Sequence, residues 1–184
     1  MKITPGIYRS VSTVALPLAS LYLMWRSRRQ PAYRDYWDER FAWGTYPLRT
    51  ERPRVWIHAV SVGETNAAKP LLEAMLKSWP ECDVVLTHMT PTGRGAGERL
   101  VRLAPERIRQ CYLPYDAPYA VEKFVRQVRP TLGVIMETEV WPNLMHEMTA
   151  HGIPVVLANA RESEKSRAQA QKAIEVMGPA FGSF

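Results

Sequence analysis

Cysteine is scarce in this 184-residue sequence: Cys82 and Cys111 are the only two, 29 positions apart and in no C-x-x-C pair. That excludes a disulfide scaffold and a cysteine-built metal site, and both read as free thiols in a reducing compartment. There is no G-x-S-x-G elbow and no Walker loop, which removes the commonest nucleophilic-serine and phosphate-cradling readings. Residues 55–184 lack a charge excess of either sign, with fourteen Lys/Arg against fourteen Asp/Glu, whereas residues 1–54 hold ten against four. A nucleic-acid reader carries its basic surface on the folded body, so the net charge of +6 does not point to DNA or RNA. The chain is also too short for two domains of about 150 residues each.

The first segment accounts for the charge asymmetry. No side chain is charged from Ser10 to Trp25, and Ile7 and Tyr8 extend the apolar character across Arg9, with Arg26, Arg28 and Arg29 at the far end. Such a run is marginal for crossing a hydrocarbon core of roughly 30 Å, and Pro17 is expected to kink it. A membrane anchor over residues 1–29 is the expectation, ahead of a signal peptide or a buried core helix. The arginine flank places residues 30–184 on the cytoplasmic side. Residues 30–53 read as an Arg- and aromatic-rich connector near the membrane surface.

From residue 54 the pattern changes. Short apolar runs at 54–60, 83–89, 110–115, 131–138 and 154–160 alternate with amphipathic stretches starting near Glu64, Arg94, Ala117, Asn143 and Ser163. This alternation predicts βαβ units, and nearly continuous apolar strands predict a parallel sheet covered on both faces. The expected fold over 54–184 is a doubly wound α/β layer whose ligands sit beyond the carboxyl ends of the strands.

Some motifs in those loops mislead. Gly93, Gly95 and Gly97 come after a strand, but Glu98 stands where a dinucleotide fingerprint needs its last glycine. His146 and His151 are five apart, about 140° around a helix, so they cannot close on one metal as a zincin pair does. Two carboxylate positions remain. Glu64 comes directly after Ser61-Val62-Gly63 at a helix start, where Gly63 is expected to permit a tight turn. An acid there either complements the helix dipole or accepts a proton from a bound hydroxyl. Glu137 and Glu139 close the fourth strand and point to opposite faces of an extended chain, so at most one lines a given cleft.

Taken in order, VSVGETNAAKPLLEAM, THMTPTGRG, YLPYDAP, VRPTLGVIMETEVWPNL and GIPVVLANARESEKS resemble the N-terminal half of the 3-deoxy-D-manno-octulosonic acid (Kdo) transferases of lipopolysaccharide synthesis. PAYRDYWDERFAW and the preceding anchor are similar to that family too, so the resemblance runs from about residue 8 to about residue 167. It implies the N-terminal Rossmann-like domain of an inverting, GT-B-type glycosyltransferase that moves Kdo from CMP-Kdo to lipid IV(A), without a cofactor, at the cytoplasmic face of the inner membrane. Carried onto this sequence, it makes Glu64 the proton acceptor and Glu137 the stabiliser of the transition state. Ser61, Gly63, Thr90, Thr92 and Gly93 are implied on the acceptor side. The family's second Rossmann-like domain, which supplies the CMP-Kdo site and a further lysine, has no counterpart after SEKS, so this sequence reads as an acceptor half that is inactive alone. A transferase of another sugar nucleotide, or a non-catalytic membrane-tethered remnant that binds lipid, are the competing expectations.

Overall fold

The computed structural model describes residues 5–48, 50–137 and 141–159, so Glu139 and the stretch expected to turn helical near Ser163 lie outside the described residues. Among the described residues, two N-terminal helices, α1 (Pro5–Val14) and α2 (Leu16–Ser27), precede a 3-10 turn (Pro31–Arg34) and the one-turn α3 (Trp37–Arg40). Strands and helices then alternate: β1 (Arg54–His58), α4 (Val62–Ser78), β2 (Asp83–His88), α5 (Pro91–Val101), β3 (Ile108–Tyr112), α6 (Pro118–Val128), β4 (Leu132–Met136), α7 (Pro142–Ala150) and β5 (Val155–Ala158).

All five strands are parallel, in the order β3-β2-β1-β4-β5. Every residue of β1 and β2 is buried, because these central strands are covered on both faces. The side chains alternate accordingly. Val55 and Ile57 pack with Ala68, Leu72 and Met75 of α4 and Leu100 of α5. Trp56 points the other way, among Phe124 and Val125 of α6 and Leu144 and Met148 of α7. The outermost strand β5 departs from the expectation of a fully covered run: Val156 and Leu157 are 50% and 41% exposed.

α1 and α2 meet at a 43° bend, and no single described helix is long and apolar enough to cross a membrane. Pro17 sits in the first turn of α2, where its missing N–H costs nothing, while its ring would clash with a carbonyl one turn earlier in an unbroken helix. The stretch read as a connector is folded onto the sheet. Tyr33, Arg40, Phe41, Ala42 and Tyr46 are buried, and Tyr46 joins the core around Trp56 and Phe124. Lys123 Nζ donates to the Ala42 carbonyl at 2.8 Å, and Gln127 Oε1 accepts from the Tyr46 N–H at 2.8 Å.

Candidate active site at the switch point of the sheet

β1 pairs with β2 on one side and β4 on the other, and the helices after β1 and β4 leave to opposite faces of the sheet. Between those two exits a parallel sheet opens a crevice, the usual ligand position in such folds. The loop after β1 leads into Glu64, and the turn after β4 is Glu137. The register His58↔Ile135 sets these exits side by side.

Glu64 is buried at the start of α4. Its Oε2 accepts the Val60 N–H at 2.8 Å, and its Oε1 accepts the Ser61 hydroxyl at 2.9 Å. Ser61, the residue capping α4, accepts in return from the Glu64 N–H at 3.5 Å. This reciprocal Ser61–Glu64 pairing is a variant of the capping box in which the Val60 amide takes the place of the Ser61 amide, and it fixes the carboxylate's orientation. Each oxygen accepts one of these donors, which leaves further lone pairs able to accept.

Gly63 does not make the tight turn expected of it. It lies inside α4 without a positive φ, and a Cβ there would meet only Ser61 Oγ at an ordinary 3.8 Å. Gly93 is the glycine that geometry demands: a Cβ would stand 2.7 Å from the Val60 carbonyl oxygen and 2.9 Å from Thr90 Oγ1. Thr90 caps α5 by accepting the Gly93 N–H at 3.0 Å and donates its own hydroxyl to Val60 O at 3.0 Å. Val60 O also accepts the N–H groups of Met89 and Thr90, each at 3.3 Å. Thr92 is exposed, its hydroxyl 3.4 Å from Thr90 Oγ1. Ser61, Glu64, Thr90 and Gly93 are thus brought together, with Gly63 and Thr92 on the open side.

Glu137 adopts a left-handed backbone, φ 63°, unusual for a residue with a side chain, and its N–H donates to the Ala158 carbonyl at 2.9 Å. Sparsely populated conformations of this kind cluster at functional sites. The extended geometry expected at this position therefore ends one residue earlier, at Met136.

Two buried histidines brace the strand ends beneath these loops. His88 Nδ1 donates to the Ala59 carbonyl at 2.9 Å. His58 Nδ1 lies 2.9 Å from Thr87 Oγ1, which also accepts the Trp56 indole N–H at 2.7 Å. Burial pushes the pKa of His58 down to about 3 and that of His88 to about 4, so both are neutral supports near pH 7.

Sequence reasoning missed a third group. Arg40 of α3 donates to the Met89 carbonyl at 3.0 Å and lies 3.6 Å from the centre of the Tyr112 ring. Arg94 pairs with Glu39 at 2.6 Å and covers the Tyr36 ring at 3.8 Å. Glu39 also accepts the Tyr112 N–H at 2.7 Å, and burial raises its pKa despite Arg94. This cluster clamps the Thr90 loop from behind. The density of Arg and Tyr between residues 33 and 40 was its one sequence signal.

A parallel Rossmann-like layer with carboxylates at its switch point fits the class of glycosyltransferase domains. The family profile described as 3-Deoxy-D-manno-octulosonic-acid transferase (kdotransferase) matches residues 35–184. A 3-deoxy-D-manno-octulosonic acid transferase of Bordetella pertussis is 44% identical over 171 residues, covering 88% of this chain and 39% of the relative. Its counterpart in Haemophilus influenzae is 35% identical over 86% of this chain and 36% of its own length. A probable mitochondrial 3-deoxy-D-manno-octulosonic acid transferase of Arabidopsis thaliana is 32% identical over 87% and 35%. The chain belongs to the Kdo transferase family, and it spans less than two fifths of the length of these relatives.

Proposed function

We propose that this chain is the acceptor-side domain of an inverting transferase that moves Kdo from CMP-Kdo to lipid IV(A), with the donor held by sequence corresponding to the remainder of the longer relatives. The observation that carries this reading is the placement of Glu64 and Glu137 on the two loops flanking the switch point of a Kdo transferase domain. In the reaction, Glu64 takes the proton of the acceptor hydroxyl as its oxygen bonds to the anomeric carbon of Kdo. The bond from that carbon to the phosphate oxygen breaks, and CMP leaves with the electron pair. Positive charge builds on the sugar at that moment, and the Glu137 carboxylate stabilises it. Thr92 and the exposed backbone at Gly63 face the acceptor.

The N-terminal helices supply the membrane attachment in this proposal. Their outward face presents Val11, Val14, Leu18, Leu21, Met24 and Trp25, all more than half exposed, with Arg26, Arg28 and Arg29 at the end. The opposite side packs on the domain: Leu16 reaches the main core and Leu23 is buried with Tyr33 and Phe41. In this reading the bent pair, one face of which is occupied by the domain, lies along the bilayer surface at the cytoplasmic leaflet of the inner membrane. Flotation with anionic phospholipid vesicles checks this: the chain floats, and Leu18→Glu together with Leu21→Glu abolishes flotation without changing the melting temperature.

The decisive test of the chemistry is Glu64→Gln in an active transferase containing this sequence. Glutamine also serves at this position of a capping box, so the fold is kept, and turnover falls on the order of 10² to 10⁴. Near-normal turnover removes Glu64 as the base and leaves it a cap.

A further inference from the structure

The turn that carries Glu137 leads to a helix whose start is fixed by a group from elsewhere in the chain. α7 starts at Pro142, and the residue before it, Trp141, gives no side-chain cap. The next two amides, Asn143 and Leu144, donate instead to Asp116, to Oδ2 at 3.0 Å and Oδ1 at 2.9 Å. Asp116 belongs to the loop between β3 and α6, and it is 7% exposed. Its Oδ2 also accepts the Tyr8 hydroxyl of α1 at 2.9 Å. The Asn143 side-chain amide closes the group by donating to the Asp116 carbonyl and to Ser12 Oγ of α1, the latter at 3.0 Å.

A carboxylate at a helix N-terminus is favoured by the aligned peptide dipoles and satisfies amides that would otherwise be buried without partners. Here that carboxylate decides where α7 begins. At the near end, the Glu137 N–H is fixed to β5 through Ala158. Glu137 is therefore held to β5 by its own amide, and the helix that follows it in sequence is held at its start by Asp116. One anchor, β5, belongs to the sheet. The other, Asp116, is shared with α1, the helix whose outer face carries Val11 and Val14.

We infer that Asp116 is a positioning residue for Glu137, and that Tyr8 makes this positioning depend on how α1 is seated. The inference rests on the reading of Glu137 as a carboxylate of the reaction. With the Tyr8 bond in place Asp116 is braced against α1, and without it that brace is lost while the bonds from the Asn143 and Leu144 amides remain.

The test uses Tyr8→Phe, which removes one hydroxyl, and Asp116→Asn, in an active transferase containing this sequence. Hydrogen exchange at the Asn143 and Leu144 amides, melting temperature and steady-state kinetics are measured together. The expected result for Tyr8→Phe is an unchanged melting temperature, faster exchange confined to those amides, and kcat lower by about tenfold with KM for the acceptor unchanged, as for a slightly misplaced group. Asp116→Asn gives faster exchange at the same amides and a larger loss of kcat than Tyr8→Phe, with KM for the acceptor again unchanged, and it also lowers the melting temperature. Normal kcat in Tyr8→Phe, or a loss that appears only in KM, overturns the inference. Glu137→Gln separates the two levels: if it retains turnover, the role of Glu137 fails and the inference with it. If it loses turnover while Tyr8→Phe and Asp116→Asn do not, the positioning role alone fails.

Discussion

α4 and α7 flank the same crevice, yet their first turns are satisfied in opposite ways. α4 is capped from within four residues, by Ser61 and Glu64, and α5 beside it by its own Thr90. Among the described residues α7 is given no side-chain cap by Trp141 and takes Asp116 from 27 residues away, with Tyr8 a further 108 positions from Asp116. The local half of the site can form as soon as β1 and β2 pair. The distant half forms only when α1, the loop before α6 and α7 have all met. A site built this way has one carboxylate whose place is set by its neighbours in sequence and another whose place is set by the completed fold.

Acid breaks both halves, with the largest effect. His88 supports the local half through Ala59, and His58 stands against Trp141 at the entrance to α7. Both have folded pKa values, about 4 and about 3, below their ordinary value of 6.5, so the unfolded chain binds more protons. Their contribution is complete above pH about 6.5 and is lost as pH falls toward 4, at a slope approaching about 2.7 kcal/mol per pH unit for the pair. Denaturant unfolding at a series of pH values measures this slope, and His58→Asn is expected to reduce it by about half. A flat profile from pH 6.5 to 4.5 would contradict it.

Removing one cap from each half sharpens the contrast. Asp116→Ala strands two buried amides and is expected to cost about 2–4 kcal/mol, whereas Ser61→Ala costs about 0.5–2 kcal/mol. Equal losses in thermal or denaturant unfolding would mean that the distant cap is no more than a local one. The smallest effect is expected at Gly63, in contrast with Gly93 beside it. Gly63→Ala, in open space inside α4, is expected to be neutral or stabilising by up to about 1 kcal/mol. Gly93→Ala instead forces its methyl against Val60 O and lowers the melting temperature.

This contrast also explains what could be read from the sequence. All five strands were legible because each is a short, nearly continuous apolar run between amphipathic stretches, even β5, which is half exposed, and Glu64 directly after Ser61-Val62-Gly63 was read at a helix start. The partnership of Asp116 with α7 was not legible, since Asp116 stands just before α6 and reads as belonging to that helix. Arg40 was hidden for a different reason. A charged residue in an aromatic-rich stretch reads as surface, but burial here is possible because Tyr112 takes the guanidinium face and Met89 O takes a donor. Gly63 was misread because glycine is more often required for a turn than tolerated inside a helix. Glu137 was placed correctly at the end of β4, but its left-handed backbone depends on the bond to Ala158, twenty-one residues later.

One atom in the local half has a mechanical consequence. The Val60 carbonyl oxygen receives three donors, from the Met89 and Thr90 amides and the Thr90 hydroxyl, and Gly93 closes against it without a side chain between. The two loops at the ends of β1 and β2 therefore share a single rivet. A load applied to either is carried by both, so the ground under Glu64 is tied across two strands at one atom.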